Sequence, residues 1–377
     1  MSAQAPTANA LQGAKGSEKL TDLWIVRALA GGGVTSVLLI ALMVGLFQTG
    51  SGRTQQVVLI FLAYLLVVLG LQIFTGNSGV ISFGHVAFMA IGGYTAMLMN
   101  LSVSSKASQI GGAPGFIKNA HFDFLPSTLI AIVVTALIAL PFGFVFARLS
   151  GTAAAIATLA GYEIAITVIA NWDTVTHGTF TLYGLETYPT HTLFWWMIGW
   201  AAIAVIVARL FRDSGLGLSL RATSSDELVA RAVGVNLPLA RLAAWVLSAA
   251  VAAVGGAVYM KFLGSLAPTT FSFNPVIVVT LVMFIVGGRS VSGVIVGAAS
   301  IAFIDEVLKR VENSLQRSGI EIIGLAAIFT LMMIFRSEGL LGRWEIDELA
   351  VRWWRSARGG KPAVREGGTT GQTTDGS

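Results

Sequence analysis

Apolar residues in this chain come in runs of about twenty, and that spacing predicts helices built to cross a bilayer, since a span needs about 20 mostly apolar residues. Ten segments meet or approach this length, at 28–47, 57–74, 79–99, 127–147, 152–171, 192–211, 239–263, 273–288, 290–308 and 319–336. Only Gly288 and Arg289 divide the eighth from the ninth, which read as a tight helical hairpin or as one broken element. The fold class expected is an all-α polytopic membrane protein with about ten transmembrane helices within residues 28–336. Residues 1–27 are polar and hold Lys15, Lys19 and Arg27. The run after them is too long for a signal-peptide core and no small-residue cleavage site follows, so it reads as an uncleaved first span.

The closing stretch has a different pattern. In GRWEIDELAVRWWRSARGGK, Ile346, Leu349, Ala350 and Trp353 recur at helical spacing, opposite Arg352, Arg355 and Arg358. Residues 337–358 therefore read as an amphipathic helix, lying in the headgroup region or packed on the protein's inner face. The glycine- and threonine-rich residues 359–377 read as disordered. Composition agrees with the class: 55% of the 377 residues are hydrophobic and 11% are charged, against about 25% charged in soluble domains. The absence of cysteine excludes disulfides, thiolate metal sites and iron–sulfur chemistry. Loop charges orient the bundle. Arg209, Arg212, Arg221, Arg231 and Arg241 border or lie in one linker, and arginines crowd the tail, whereas 172–191 and 264–272 have no lysine or arginine. Both termini and the 212–238 linker are thus expected in the cytoplasm, with Arg53, Lys106, Lys118, Lys309 and Arg310 as exceptions outside.

Two regions carry candidate chemistry. In GNSGVISFGHVAFMAIGGYT (76–95), Ser78, Ser82, His85, Met89, Gly92 and, just beyond, Ala96 fall on one helical face, after a turn or break at Gly76-Asn77-Ser78-Gly79. Small residues and hydroxyls on one face suit close helix packing, and irregular backbone at membrane depth must be buried or line a cavity. Asn77, Ser78, Ser82, His85, Met89 and Glu163 are therefore candidates for a pathway wall or for packing. His85 can equally be a neutral imidazole bonded to a neighbouring helix, and Glu163 an inter-helix contact. In the linker, Ser224 stands three residues before Glu227 as in a capping box, with Asp226 in the first turn and Gly234 placed to end the helix. A helix from Ser225 to Val233 follows, with Leu228, Val229, Ala232 and Val233 on one side against Asp226, Glu227 and Arg231. Its apolar side needs cover, from the bundle's own loops or from a cytoplasmic partner. No phosphate-binding G-x-x-x-x-G-K-[ST] loop occurs, so a nucleotide that drives this chain is bound by another. No H-E-x-x-H, G-x-S-x-G or metal-ligand spacing points to an embedded enzyme. A stand-alone proton-coupled transporter or channel using His85 and Glu163 remains the alternative from a different class.

These residues resemble a family. Residues 76–96 look like the signature segment of permease subunits of branched-chain amino-acid ABC importers, G-x-x-G-x-x-S-x-G-H-x-A-F-x-G-I-G-A-Y-T. SSDELVARAVGVNLPLARLAAWVLSAAVAAVGGAVY, VTLVMFIVGGRSVSGVIVGAASIAFIDEVL and FRSEGLLG (335–342) are similar to its linker, glycine-rich hairpin and closing motif. The resemblance implies a fold like that of ribose- and vitamin B12-type importers in a bacterial inner membrane. It implies a second homologous permease subunit, two ATPase subunits holding ATP and magnesium, and a periplasmic binding protein; this chain would need no cofactor. It also implies that 225–233 is the coupling helix, carried by Ser224, Asp226, Glu227, Leu228, Arg231, Val233 and Gly234. Where the family has a Gly-Gly-x-x-Gly-Leu loop, this chain reads THGTFTLYGLE, which leaves open whether the substrate is a branched-chain amino acid, urea, an amide or an aromatic acid.

Overall fold

The computed structural model of the chain describes residues 8–225, 230, 232, 234–272, 276–316, 319–335, 339–342 and 345. Its helices are α1 (Ala8–Thr49), α2 (Gly52–Leu71), α3 (His85–Asn100), α4 (Val103–Gln109), α5 (Gly115–Lys118), α6 (Phe124–Phe146) and α7 (Gly151–Asn171). There follow α8 (Asp173–Thr176), α9 (Thr190–Asp213), α10 (Gly215–Ser225), α11 (Leu237–Leu263), α12 (Val278–Gly287), α13 (Val291–Leu315) and α14 (Ile320–Phe335). Seven of these helices are long and apolar enough to cross a membrane. The remaining three predicted segments correspond to α3, which meets α4 at 116°, and to the shorter apolar helices α12 and α14. The chain is a multi-pass, all-helical membrane protein.

Two boundaries differ from expectation. The α1 helix has 42 residues, roughly 63 Å at 1.5 Å per residue, so it continues through much of the polar N-terminal stretch. No proline interrupts it between Ala8 and Thr49. The span predicted to start at residue 79 becomes helical only at His85, because Gly79 turns left-handed at φ +72°. The amphipathic helix predicted over 337–358 lies outside the described residues except for 339–342 and 345, and so does the tail.

At the break itself, α2 widens into a π-turn over Gln72–Gly76, which displaces carbonyls from their usual partners. The Asn77 side chain takes up part of the loss, donating to the Ile73 carbonyl at 2.9 Å. Beyond the break, two N–H groups that α3 leaves without helical partners find hydroxyls. Phe83 N–H donates to Thr158 Oγ1 on α7 (3.2 Å), and Gly84 N–H donates to Ser82 Oγ (3.3 Å).

Packing centres on α11, which runs against α2, α3 and α6. Glycine permits the closest of these approaches: a Cβ on Gly256 would overlap the Met89 carbonyl oxygen, and one on Gly92 would overlap the Ala253 backbone. Without water to drive helices together, such backbone contact is what van der Waals attraction rewards. In contrast, few residues of α7 are buried.

Candidate functional site

His85 begins α3 and is buried. Its Nε2 lies 3.0 Å from Ser248 Oγ on α11, and its Nδ1 lies 2.9 Å from Ser82 Oγ. The Ser248 hydroxyl donates to the Trp245 carbonyl at 2.7 Å. Its oxygen therefore accepts from His85 Nε2–H, and Nδ1 accepts from the Ser82 hydroxyl. Both ring nitrogens are satisfied in one neutral tautomer, which suits a buried site because an unpaired charge there is costly. Trp245 and Phe88 present their edges to the ring at centroid distances of 5.4 and 5.9 Å. The space alongside, between α3, α6 and α7, is about 20 Å³, room for roughly one water.

Ser78 and Ser82 do not share a helical face with His85 as predicted, since both precede the first turn of α3. Ser82 nevertheless reaches His85, from the irregular segment. Asn77, Ser78, Ser82, His85 and Met89 are all buried near the break. Glu163 is not among them. It is exposed on α7, next to Tyr162, whose hydroxyl donates to the Phe271 carbonyl at 2.8 Å.

The break also meets the linker and the hairpin. A Cβ built on Gly79 would lie 3.1 Å from Ser224 Cβ and 3.7 Å from Arg289 Nη2. Gln72 Nε2 donates to the Arg289 carbonyl at 3.2 Å. The closing segment joins the same hairpin by two backbone bonds, Leu340 N–H to Val286 O (2.7 Å) and Arg289 N–H to Gly342 O (3.1 Å). Ser224 sits in the last turn of α10 and donates to the Arg221 carbonyl at 2.9 Å; the N–H groups it was expected to cap lie outside the described residues. The cap that starts α10 is Ser214, whose Oγ accepts from Gly217 N–H at 3.2 Å. Asp226, Glu227, Leu228, Arg231 and Val233 lie outside the described residues. Gly234 adopts φ +85°, the left-handed conformation expected where a helix ends.

Beside the hairpin is a buried carboxylate. Glu345 Oε2 lies 2.8 Å from Arg209 Nη1, and Oε1 lies 2.7 Å from Arg212 Nη1. The same carboxylate accepts Val291 N–H (2.9 Å), Ser292 N–H (3.0 Å) and the Ser292 hydroxyl (2.6 Å). It thus caps the N-terminus of α13, where the helix dipole favours negative charge, and ties it to the end of α9. Burial pushes this carboxyl up, but Arg212, Arg209 and Ser292 outweigh burial and hold it below the usual carboxylate range.

Over residues 53–335 the chain matches the family described as "Branched-chain amino acid transport system / permease component". The chain belongs to that family. Two relatives of this permease are each named "High-affinity branched-chain amino acid transport system permease protein LivM". The one from Escherichia coli (strain K12) is 26% identical over 315 residues, covering 77% of this chain and 70% of its own length. The one from Salmonella typhimurium (strain LT2) is 26% identical over 310 residues, covering 74% and 67%. No solved structure matches the permease. All four of the sequence stretches that resembled the family meet within the permease around Gly79, Ser224, Arg289 and Gly342. Glu345, just past the last of them, escaped sequence reasoning. It sits in an amphipathic pattern, and its partners at 209, 212 and 292 are far away along the chain.

Proposed function

We propose that the permease is the transmembrane subunit of an ATP-driven importer for branched-chain amino acids or a related small polar substrate. The observation that carries this is the meeting of the broken helix, the linker and the hairpin around Gly79: a displacement of the linker is felt at once by the irregular backbone between α2 and α3. In this reading ATP binds to two separate ATPase subunits, a second homologous permease subunit completes the pathway, and a periplasmic binding protein delivers substrate. The chain sits in the bacterial inner membrane with both termini and the linker cytoplasmic. Residues 225–233 form the coupling helix, through Asp226, Glu227, Leu228, Arg231 and Val233, between Ser224 and Gly234. Glu163, Thr167 and Asn171 are all exposed on α7 at helical spacing. A polar face on a membrane helix needs water or another chain beside it, and we assign this one to the pathway between the two permease subunits. His85, with both nitrogens engaged, packs α3 on α11 beside that pathway.

Uptake of labelled leucine into vesicles tests the class. Dependence on internal ATP and on an added binding protein is expected. Uptake driven by a proton gradient, without ATP or binding protein, would make the chain a secondary transporter. Glu227→Lys and Arg231→Glu are expected to leave the permease folded and ATP hydrolysis intact while reducing uptake at least tenfold; normal uptake in both removes the coupling assignment.

A further inference from the structure

At the end of the bundle where the linker joins α11, the last turn of α6 and the first turn of α11 part. They still touch at Gly143, where a Cβ would lie 2.6 Å from Trp245 Cδ1 and 2.8 Å from Leu242 Cδ1. One turn further, at Ala147, a groove of about 460 Å³ opens between the two helices, within the roughly 300–1,000 Å³ of small-molecule sites. Phe144, Ala147, Leu237, Leu239 and Leu242 wall it, and Arg148 is the one charge among the described residues that line it. The groove faces away from α7. Phe142 and Phe146 point to Gly161 of α7, and Phe144 lies about 200° around the helix from both. Phe144 and Leu239 are exposed at its mouth, so at the end of two membrane spans it opens to lipid.

Arg148 is held in place by the backbone around it. Its N–H donates to the Val145 carbonyl at 3.3 Å, and Leu149 N–H donates to the Phe146 carbonyl at 3.1 Å. The Leu149 carbonyl in turn accepts from Arg241 Nη1 at 3.1 Å, which fixes this turn to α11. The Arg148 side chain folds back over Phe144, with Cζ 4.3 Å from the ring centroid. Such a contact uses the face of the guanidinium, so the N–H donors along its edge stay available. No carbonyl or carboxylate among the described residues takes them up, and no acidic residue lines the groove. An arginine at the end of a span keeps its stem in apolar surroundings and its head at the level of the lipid headgroups.

We propose that this groove is a site for one anionic phospholipid, with an acyl chain between α6 and α11 and the headgroup phosphate on Arg148. The planar guanidinium matches phosphate oxygens two at a time. Charge decides the class of lipid. A zwitterionic phospholipid would bring an ammonium to a place that already holds a cation and offers it no carboxylate. An anionic lipid neutralises Arg148 and adds no second cation. Bound there, it would brace the first turn of α11, which follows the linker directly, against the end of α6. The site does not depend on what drives transport.

The test is native mass spectrometry of the full-length permease, purified with the subunits it holds and titrated with dioleoylphosphatidylglycerol. One lipid is expected to bind at least fivefold more tightly than the first dioleoylphosphatidylcholine or dioleoylphosphatidylethanolamine. Arg148→Gln should weaken that binding at least fivefold. Leu239→Trp, which crowds the groove's mouth and keeps the charge, should do the same. Both side chains are exposed, so neither change is expected to unfold the chain. Arg310→Gln, which removes an exposed arginine at the opposite end of the bundle, should leave binding unchanged. Equal affinity for the zwitterionic lipids, unchanged binding in either groove variant, or an equal loss in Arg310→Gln overturns the site. The chain has no cysteine, so Leu239→Cys supplies a single thiol at the groove. Its alkylation by N-ethylmaleimide in detergent should slow at least fivefold when phosphatidylglycerol is added. A thiol that the lipid leaves unprotected, and that only a copurifying subunit shields, would put a protein in the groove and overturn the proposal.

Discussion

Two acidic centres lie on one helix, α13, and they are built differently. At its start, Glu345 is fully buried and accepts from two arginines, a hydroxyl and two backbone N–H groups. Near its other end, Asp305 and Glu306 share three cations with half-exposed side chains, and one carboxylate oxygen has no donor among the described residues. The residue types are the same. What differs is whether valences are closed. A closed, dry ion cluster can only hold elements together, because any rearrangement strands a charge. The other centre, whose cations are about half exposed, can exchange partners with water.

That contrast is breakable by mutation. Glu345→Ala leaves Arg209 and Arg212 buried without their carboxylate and is expected to cost about 3–5 kcal/mol, seen as a large drop in unfolding temperature in detergent. Acid should act through the same group. Its carboxyl titrates lower folded than unfolded, so its stabilisation is full above the ordinary glutamate value of about 4.3 and is lost as pH falls through the lowered folded value. Unfolding temperature against pH should therefore fall at the acid end in the natural chain, and fall less in Glu345→Gln; parallel curves would show that the clamp does not titrate. Next in size, Ser248→Ala strands His85 Nε2–H and should cost about 1–3 kcal/mol, without changing the pH dependence of uptake if His85 is neutral throughout. At the small end, Glu306→Gln breaks pairs whose cations are about half exposed and should change stability by about 0–1 kcal/mol. A cost there equal to that of Glu345→Ala would mean the two centres are alike, and the comparison would fail.

Much of the fold could be read from the residues because membrane spans announce themselves locally. All ten apolar segments correspond to apolar helices, the glycine-rich break is present, and Gly234 has the conformation assigned to it. Ser82 and His85 were expected on one helical face, yet Ser82 meets His85 from a turn, because Gly79 delays the helix. The Glu345 cluster and the half-exposed centre on α13 were invisible for a different reason. Each joins residues from separate helices, and no periodicity along one segment encodes which distant partner a carboxylate will find.

The clamp also has a schedule. Arg209 and Arg212 leave the ribosome roughly 135 residues before Glu345, which at about 5–20 residues per second is a wait of some 7–27 seconds. During that interval Arg209 has Asp213 one turn along α9, and α13 enters the membrane with Ser290 but not Glu345 at its first turn. The clamp therefore closes late, and a nascent chain halted before Glu345 would lack the carboxylate that joins the end of α9 to the start of α13.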